Sequence, residues 1–124
     1  MKKILVIDDE PTITEIITLY AERLGYAADC ACSGDQALSM LDRNSYWALI
    51  CDFLMPGIDG LQMHAILQSR TGRSPERFIL LTGTVLDEQV QRTAEEKNII
   101  IFQKPFNFEG IKRIFQLLED KSTT

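Results

Sequence analysis

Four short apolar runs in this chain each end at a polar residue, and this arrangement limits the folds that the chain can adopt. The runs cover residues 4–7, 48–51, 78–81 and 99–102. In order, the first run leads into Asp8 and Asp9, the second into Asp52, the third into Thr82 and the fourth into Lys104. Short apolar runs of this kind are typical of strands buried on both faces of a parallel sheet. Because ligands bind beyond the carboxyl ends of such strands, we expect these polar side chains to converge on one site.

Segments with helical periodicity separate the strands. The predicted helices cover residues 11–24, 35–41, about 60–69, 86–97 and 108–118, and a further strand covers 26–31. Pro11 suits the first turn of a helix, and Asp59 and Asn107 are placed to cap two others. Five alternating strand and helix units predict one doubly wound α/β domain over residues 1–124.

Length and charge narrow the class of protein further. A chain of 124 residues with 45% hydrophobic residues is large enough to bury a core without disulfide bonds. A net charge of −5 argues against a nucleic-acid surface, which needs clustered Lys and Arg. The sequence has neither a signal-peptide pattern nor a stretch of membrane-spanning length, so we expect a cytoplasmic protein without a membrane contact.

The cysteines and the single histidine are expected to have structural roles. Cys30 and Cys32 would share one face of a strand, and together with Cys51 they are predicted to be reduced thiols in the core. A metal site at the C-x-C pair would need partner ligands, which the sequence does not offer. His64 is predicted to lie at the surface or partly covered on the third helix, without a role as a ligand.

The carboxylates at the first and third strand ends require a cation. Two unit charges about 4 Å apart repel by roughly 4 kcal/mol at an effective dielectric near 20. Oxygen ligands with room for water favour Mg²⁺, or Mn²⁺, over Zn²⁺. Such an ion would let a carboxylate accept a phosphoryl group, with Lys104 as a second positive charge and Thr82 as a hydroxyl donor.

These motifs, in this order, resemble the receiver domain of two-component response regulators over essentially the whole chain. The resemblance rests on the acidic pair Asp8 and Asp9, Asp52 within DFLMPGIDG, Thr82 in LLTG and Lys104 in KPF. It implies a flavodoxin-like fold like that of chemotaxis regulators, with five parallel strands in the order 2-1-3-4-5 and five helices. It also implies a phosphorylated switch with at most weak autophosphotransfer and autodephosphorylation activity, not an enzyme.

The resemblance further implies the chemistry of the site. Asp52 would accept a phosphoryl group from a histidine kinase or phosphotransfer protein, and Asp8, Asp9, Asp52 and the backbone carbonyl of Leu54 would hold Mg²⁺. A cis peptide would join Lys104 to Pro105. The fourth helix, fifth strand and fifth helix would form the surface recognised by an output protein or an attached output domain, in a monomer or a phosphorylation-dependent dimer.

One position departs from the family pattern. The family usually places Tyr or Phe three residues before the lysine, where this chain has Ile101. Phe102 should lie on the opposite face of the strand, in the core. We therefore expect phosphorylation of Asp52 to draw Thr82 inward and to shift residues 83–86 and the polar helix that follows them, with Ile101 giving a weaker steric coupling.

Two other functions use a similar framework. A haloacid-dehalogenase-like phosphatase also forms an aspartyl phosphate, but it usually has a second acid two residues after the nucleophile. In this chain the residue two positions after Asp52 is Leu54, which is not an acid. Glu10 does stand two residues after Asp8, but it lies beside the acidic pair Asp8 and Asp9, which metal binding explains better. A flavodoxin would place hydroxyls, amides and glycines after its first strand, where this chain has acids.

Overall fold

A five-stranded parallel sheet in the order β2-β1-β3-β4-β5 forms the centre of the molecule. The computed structural model describes residues 1–104 and 107–120. The strands are β1 (Lys3–Ile7), β2 (Ala27–Ala31), β3 (Ala48–Asp52), β4 (Phe78–Thr82) and β5 (Ile100–Gln103). The predicted α/β class and strand order are confirmed.

Helices connect successive strands and cover both faces of the sheet. They are α1 (Pro11–Arg23), α2 (Gly34–Arg43), α3 (Gly60–Thr71), α4 (Glu88–Glu96) and α5 (Phe108–Asp120). In the described part of the chain, no helix has the length and apolarity needed to cross a bilayer. The fourth helix was predicted to begin at Leu86, but Asp87 caps it by accepting a hydrogen bond from the Val90 amide at 2.9 Å. Leu86 is buried just before the helix.

The strand side chains alternate between two hydrophobic clusters, as the pleat of a strand requires. In β1, Leu5 and Ile7 join the cluster under α2, α3 and α4, whereas Ile4 and Val6 join the cluster under α1 and α5. Every residue of β3 and of β4 is buried. Burying each large aliphatic side chain contributes about 1.5–3 kcal/mol, so these two faces hold the three layers together.

A capping box fixes where α3 begins after the loop that follows β3. The Asp59 carboxylate accepts from the Gln62 amide at 2.8 Å, and the Gln62 side chain accepts from the Asp59 amide at 2.9 Å. Asn107 similarly accepts from the Gly110 amide at 2.8 Å at the start of α5. Both predicted caps are confirmed, and caps of this kind contribute about 1 kcal/mol each.

Several predictions of burial were wrong. Cys30 is exposed because β2 is an edge strand, and Cys32 is exposed in the bend that follows β2; only Cys51 is buried. His64 is buried, since its ring packs edge-on against Phe78 with centroids 5.1 Å apart. Phe102 packs against the α1 and α5 cluster but is only partly buried, because β5 forms the other edge of the sheet.

Candidate functional site

An acidic turn follows β1 at the carboxyl edge of the sheet. Asp8 is 1% exposed, and its amide donates to the Ala31 carbonyl at 3.1 Å, which continues the pairing of β1 with β2. One oxygen of Asp8, Oδ1, accepts from the Glu10 amide at 3.0 Å. Asp9 and Glu10 are exposed, and Pro11 then begins α1. The turn therefore buries one carboxylate and leaves two at the rim.

Asp52 is the last residue of β3 and lies beside this turn. It is 5% exposed, and the next residue, Phe53, donates its amide to the Leu81 carbonyl at 2.7 Å. The Gly60 amide donates back to the Phe53 carbonyl at 2.8 Å. A β-carbon at Gly60 would overlap a Leu80 methyl and lie 2.7 Å from the Asp52 carbonyl oxygen. Glycine thus lets α3 begin directly against the strand end.

Lys104 follows β5, the strand at one edge of the sheet, and brings a positive charge to the carboxylates. Its amide donates to the Thr82 carbonyl at 2.7 Å, so the backbone that follows β5 stays paired with β4. Its ammonium nitrogen lies 2.9 Å from Asp8 Oδ2, 3.4 Å from Asp52 Oδ1 and 3.5 Å from Glu10 Oε1. The Lys104 side chain is only 12% exposed, so little water competes for these contacts.

One ammonium does not balance the negative charge of this site. Burial, and then the charge of Asp8, raise the pKa of Asp52 to about 6, although Lys104 opposes the shift. Burial likewise raises the pKa of Asp8. The pKa of Lys104 is also raised: burial alone would lower it, but contact with Asp8 and the charge of Asp52 outweigh that effect. The lysine therefore stays charged while the carboxylates resist ionisation.

The acidic side chains could hold a metal ion. Asp8, Asp9, Glu10 and Asp52 each offer an oxygen, and these four atoms lie within 4.8 Å of one another. Asp8 Oδ2 is buried and receives no hydrogen bond of suitable geometry from residues 1–104 and 107–120, despite the nearby ammonium. Such an all-oxygen set suits a hard cation, which would also offset the repulsion that raises the carboxylate pKa values.

Thr82 ends β4 beside Asp52, but its hydroxyl is engaged elsewhere. The hydroxyl donates to the Thr84 carbonyl at 2.6 Å, and the Thr84 amide is 3.3 Å from the same oxygen. Thr82 is 5% exposed and Asp52 pairs with the neighbouring Leu81 in the sheet. In this arrangement the Thr82 hydroxyl is hydrogen-bonded to the loop after β4 and not to the acidic cluster.

The structure brings together most, but not all, of the residues singled out in the sequence. Asp8, Asp9, Asp52 and Lys104 form one cluster. Leu54 lies in the loop after β3 with 67% of its surface exposed. The predicted cis peptide at Pro105 lies outside the described residues.

Glu10 is the member of the cluster that the sequence reasoning did not assign to the metal. It could have been found as a third consecutive acid after β1, held before Pro11 in the extended conformation that precedes proline.

Comparison with known proteins gives a consistent family match. The sequence model of the response regulator receiver domain matches residues 4–116. The transcriptional regulatory protein ResD of Bacillus subtilis is 41% identical over 123 residues, covering 98% of this chain and 50% of that protein. The chain spans about half the length of the first curated relatives that it matches.

Two solved structures share the fold closely. The response regulator TrrA of Thermotoga maritima, in complex with Mg²⁺ and BeF, is 30% identical with a TM-score of 0.78, covering 95% of this chain and 99% of that one. A response regulator receiver domain protein of Clostridium thermocellum is 26% identical with a TM-score of 0.84, covering 99% and 98%.

Proposed function

The chain belongs to the response regulator receiver domain family of two-component systems, and on that premise we propose that Asp52 accepts a phosphoryl group. The observation that carries the proposal is the buried position of Asp52 at a central strand end, 3.4 Å from Lys104 and within the acidic cluster. The donor is a phosphohistidine of a kinase or phosphotransfer protein. An Asp52 oxygen bonds to phosphorus as the P–N bond breaks, and the imidazole keeps the electron pair.

We assign Mg²⁺, with Mn²⁺ as a substitute, to the cluster of Asp8, Asp9 and Asp52 with the Leu54 carbonyl. The all-oxygen donor set and the buried Asp8 Oδ2, which lacks a hydrogen bond from the described residues, support the assignment. The complex of TrrA with Mg²⁺ and BeF supports it too, at 30% identity. When bound, the ion would offset the repulsion between the anionic nucleophile and the anionic donor.

Lys104 orients and stabilises the transferred group in this proposal. Its ammonium already contacts both buried carboxylates, Asp8 and Asp52, and the raised pKa keeps it charged through the physiological range. A fixed positive charge in a site with little water is worth more than one at the surface. The lysine is therefore positioned to contact a phosphoryl oxygen as soon as the group reaches Asp52.

Thr82 transmits the change in this proposal. Its hydroxyl exchanges the Thr84 carbonyl for a phosphoryl oxygen, and residues 83–86 move because they lose their 2.6 Å anchor. The movement alters the output surface, defined here as α4, β5 and α5. Ile101, partly buried against the cluster under α4, supplies a smaller steric link than an aromatic ring would.

NMR spectra test this switch. Beryllofluoride with Mg²⁺ should shift amide signals across residues 83–101 in the wild-type protein. Thr82→Ala should reduce those shifts severalfold, and Thr82→Ser, which keeps the hydroxyl, should restore them. Unchanged signals over residues 83–101 in the wild-type protein would contradict the proposed movement.

The remaining features follow from the same proposal. We place residues 1–124 in one receiver domain that acts as a switch, with at most weak autophosphotransfer and autodephosphorylation activity. Its partners are a phosphodonor and an output protein or attached output domain, with no nucleic-acid or membrane contact of its own, and it is a monomer or a phosphorylation-dependent dimer. The three free thiols, Cys30, Cys32 and Cys51, support a cytoplasmic location, where thiols stay reduced.

Labelling by acetyl phosphate tests the function. Intact-mass spectrometry should show one phosphoryl group per chain in the presence of Mg²⁺, and Asp52→Asn should remove it. Rapid release of many phosphates per chain would instead favour the haloacid-dehalogenase-like phosphatase. Undiminished labelling of the Asn variant would show that Asp52 is not the acceptor.

A further inference from the structure

Glu10 lies at the rim of the acidic cluster in a position that its backbone fixes closely. Its amide donates to Asp8 Oδ1 at 3.0 Å, and its φ and ψ of −99° and 109° are the extended values that a following proline favours. The residue occupies the N-cap position of α1, yet its side chain makes no capping hydrogen bond. The carboxylate is therefore available for contacts across the cluster.

The contacts of Glu10 differ in strength from those of the other acids. Lys104 Nζ lies 2.9 Å from Asp8 Oδ2 but 3.5 Å from Glu10 Oε1, so the Glu10 ion pair is the longest of the three that the lysine makes with described residues. The Glu10 side chain is 61% exposed, whereas the Asp8 side chain is fully buried. Glu10 can thus leave Lys104 for another partner at a low cost in free energy, whereas the buried Asp8 cannot.

The position of Glu10 also bears on the metal site. One of its oxygens lies within 4.8 Å of the candidate ligand oxygens of Asp8, Asp9 and Asp52. Although the Lys104 ammonium lies 2.9 Å from Asp8 Oδ2, this buried oxygen receives no hydrogen bond of suitable geometry from the described residues, which leaves it able to bind a cation. A fourth carboxylate at this range adds to the attraction for a divalent ion, since ligand charge sets affinity in oxygen sites.

We propose that Glu10 is a positioning residue with two successive roles, an inference that rests on the proposed phosphoacceptor function. In the metal-free protein it shares Lys104 with Asp8 and Asp52. When a divalent cation enters, its charge adds to the attraction for that cation, and Lys104 loses its weakest partner and becomes available to the phosphoryl group. Glu10 thereby raises the affinity for the cation and couples its binding to the lysine.

Calorimetric titration with MgCl₂ tests the first role. At low salt, Glu10→Gln should weaken Mg²⁺ binding by about three- to tenfold, and the difference should shrink as NaCl is added, because the effect is one of charge. Glu15→Gln is the matched control, since Glu15 is exposed on α1 outside the cluster; it should change the affinity less than twofold. Equal Mg²⁺ affinities for the wild-type protein and Glu10→Gln would overturn the inference.

The ¹⁵N signal of the Lys104 ammonium tests the second role without using activity. In the metal-free protein it should differ between the wild type and Glu10→Gln, and Mg²⁺ should make the two signals more alike. Signals that coincide without metal would overturn this role. Failure of the wild-type protein to bind Mg²⁺ or to be labelled by acetyl phosphate would count against the proposed function itself, whereas a wild-type protein that does both but has the same Mg²⁺ affinity as Glu10→Gln would overturn only the role of Glu10.

Discussion

Replacing Asp52, the proposed phosphoacceptor, should make the metal-free protein more stable. The pKa of Asp52 is about 6 in the folded chain against 3.8 for the ordinary carboxyl group. At about 1.36 kcal/mol per pKa unit, a difference of about 2 units corresponds to a folding penalty of up to about 3 kcal/mol. Asn at position 52 is neutral and close in shape, so it avoids this penalty. We expect Asp52→Asn to raise the free energy of unfolding by about 1–3 kcal/mol at pH 8.

The sign of the pH dependence follows from the raised pKa. Above pH 6 the carboxyl is ionised in both states, so the full penalty applies; between pH 6 and 3.8 the folded state takes up the proton first, and the penalty falls. The stability gap between Asp52→Asn and the wild type should therefore be largest at pH 8 and nearly closed at pH 4. Added Mg²⁺ should narrow it as well, by stabilising the wild-type protein.

Urea unfolding in EDTA at pH 8, 6 and 4 measures this gap. Asp42→Asn is the control, because Asp42 is a surface residue paired with Arg70 at 2.8 Å, where removing a charge costs at most about 1 kcal/mol. A variant no more stable than the wild type at pH 8, or a gap that does not change with pH, would refute the electrostatic reasoning about the site.

Three further substitutions test the packing at the start of α3, the Tyr46 hydrogen bond and the steric role of Ile101. Gly60→Ala should destabilise the fold by about 1–3 kcal/mol in urea unfolding, because the added methyl would overlap Leu80; full stability would contradict the close approach of α3. Tyr46→Phe removes a 2.6 Å hydrogen bond whose acceptor, Asp29, has a lowered pKa chiefly because of it. It should cost about 1 kcal/mol at pH 7 and progressively less as the pH falls below the ordinary carboxyl pKa of 3.8 toward the lowered pKa of Asp29; a cost that does not fall with pH over this range would be inconsistent with this linkage. Ile101→Tyr should enlarge the NMR shifts that beryllofluoride causes in residues 83–99, and unchanged shifts would count against a steric role for this position.

The central strands and the buried acids could be predicted from the sequence because their environment is nearly uniform. β3 and β4 are buried on both faces, so their composition alone indicates strands, and the residues that end them must meet at one edge. The order of the strands came from the family resemblance and not from periodicity. The edges were harder: Cys30 is apolar enough for a core but lies on an edge strand.

The details of the site depended on geometry that residue type does not determine. Nothing in the residue type of Thr82 indicates that its hydroxyl donates to Thr84 and not toward the carboxylates. The place of Glu10 in the cluster depends on the turn before Pro11. His64 was expected near the surface because histidine is polar, yet an edge-on contact with Phe78 accommodates it in the interior.

Chemical localisation of the phosphoryl group tests the central claim most directly. After incubation with acetyl phosphate and Mg²⁺, borohydride reduction converts an aspartyl phosphate to homoserine, which tandem mass spectrometry can assign to a position in the chain. Metal-dependent phosphorylation of Asp52 should give homoserine at position 52 alone, and none when EDTA replaces Mg²⁺. Homoserine at Asp8 or Asp9, or equal labelling of Asp52 without a divalent ion, would contradict it.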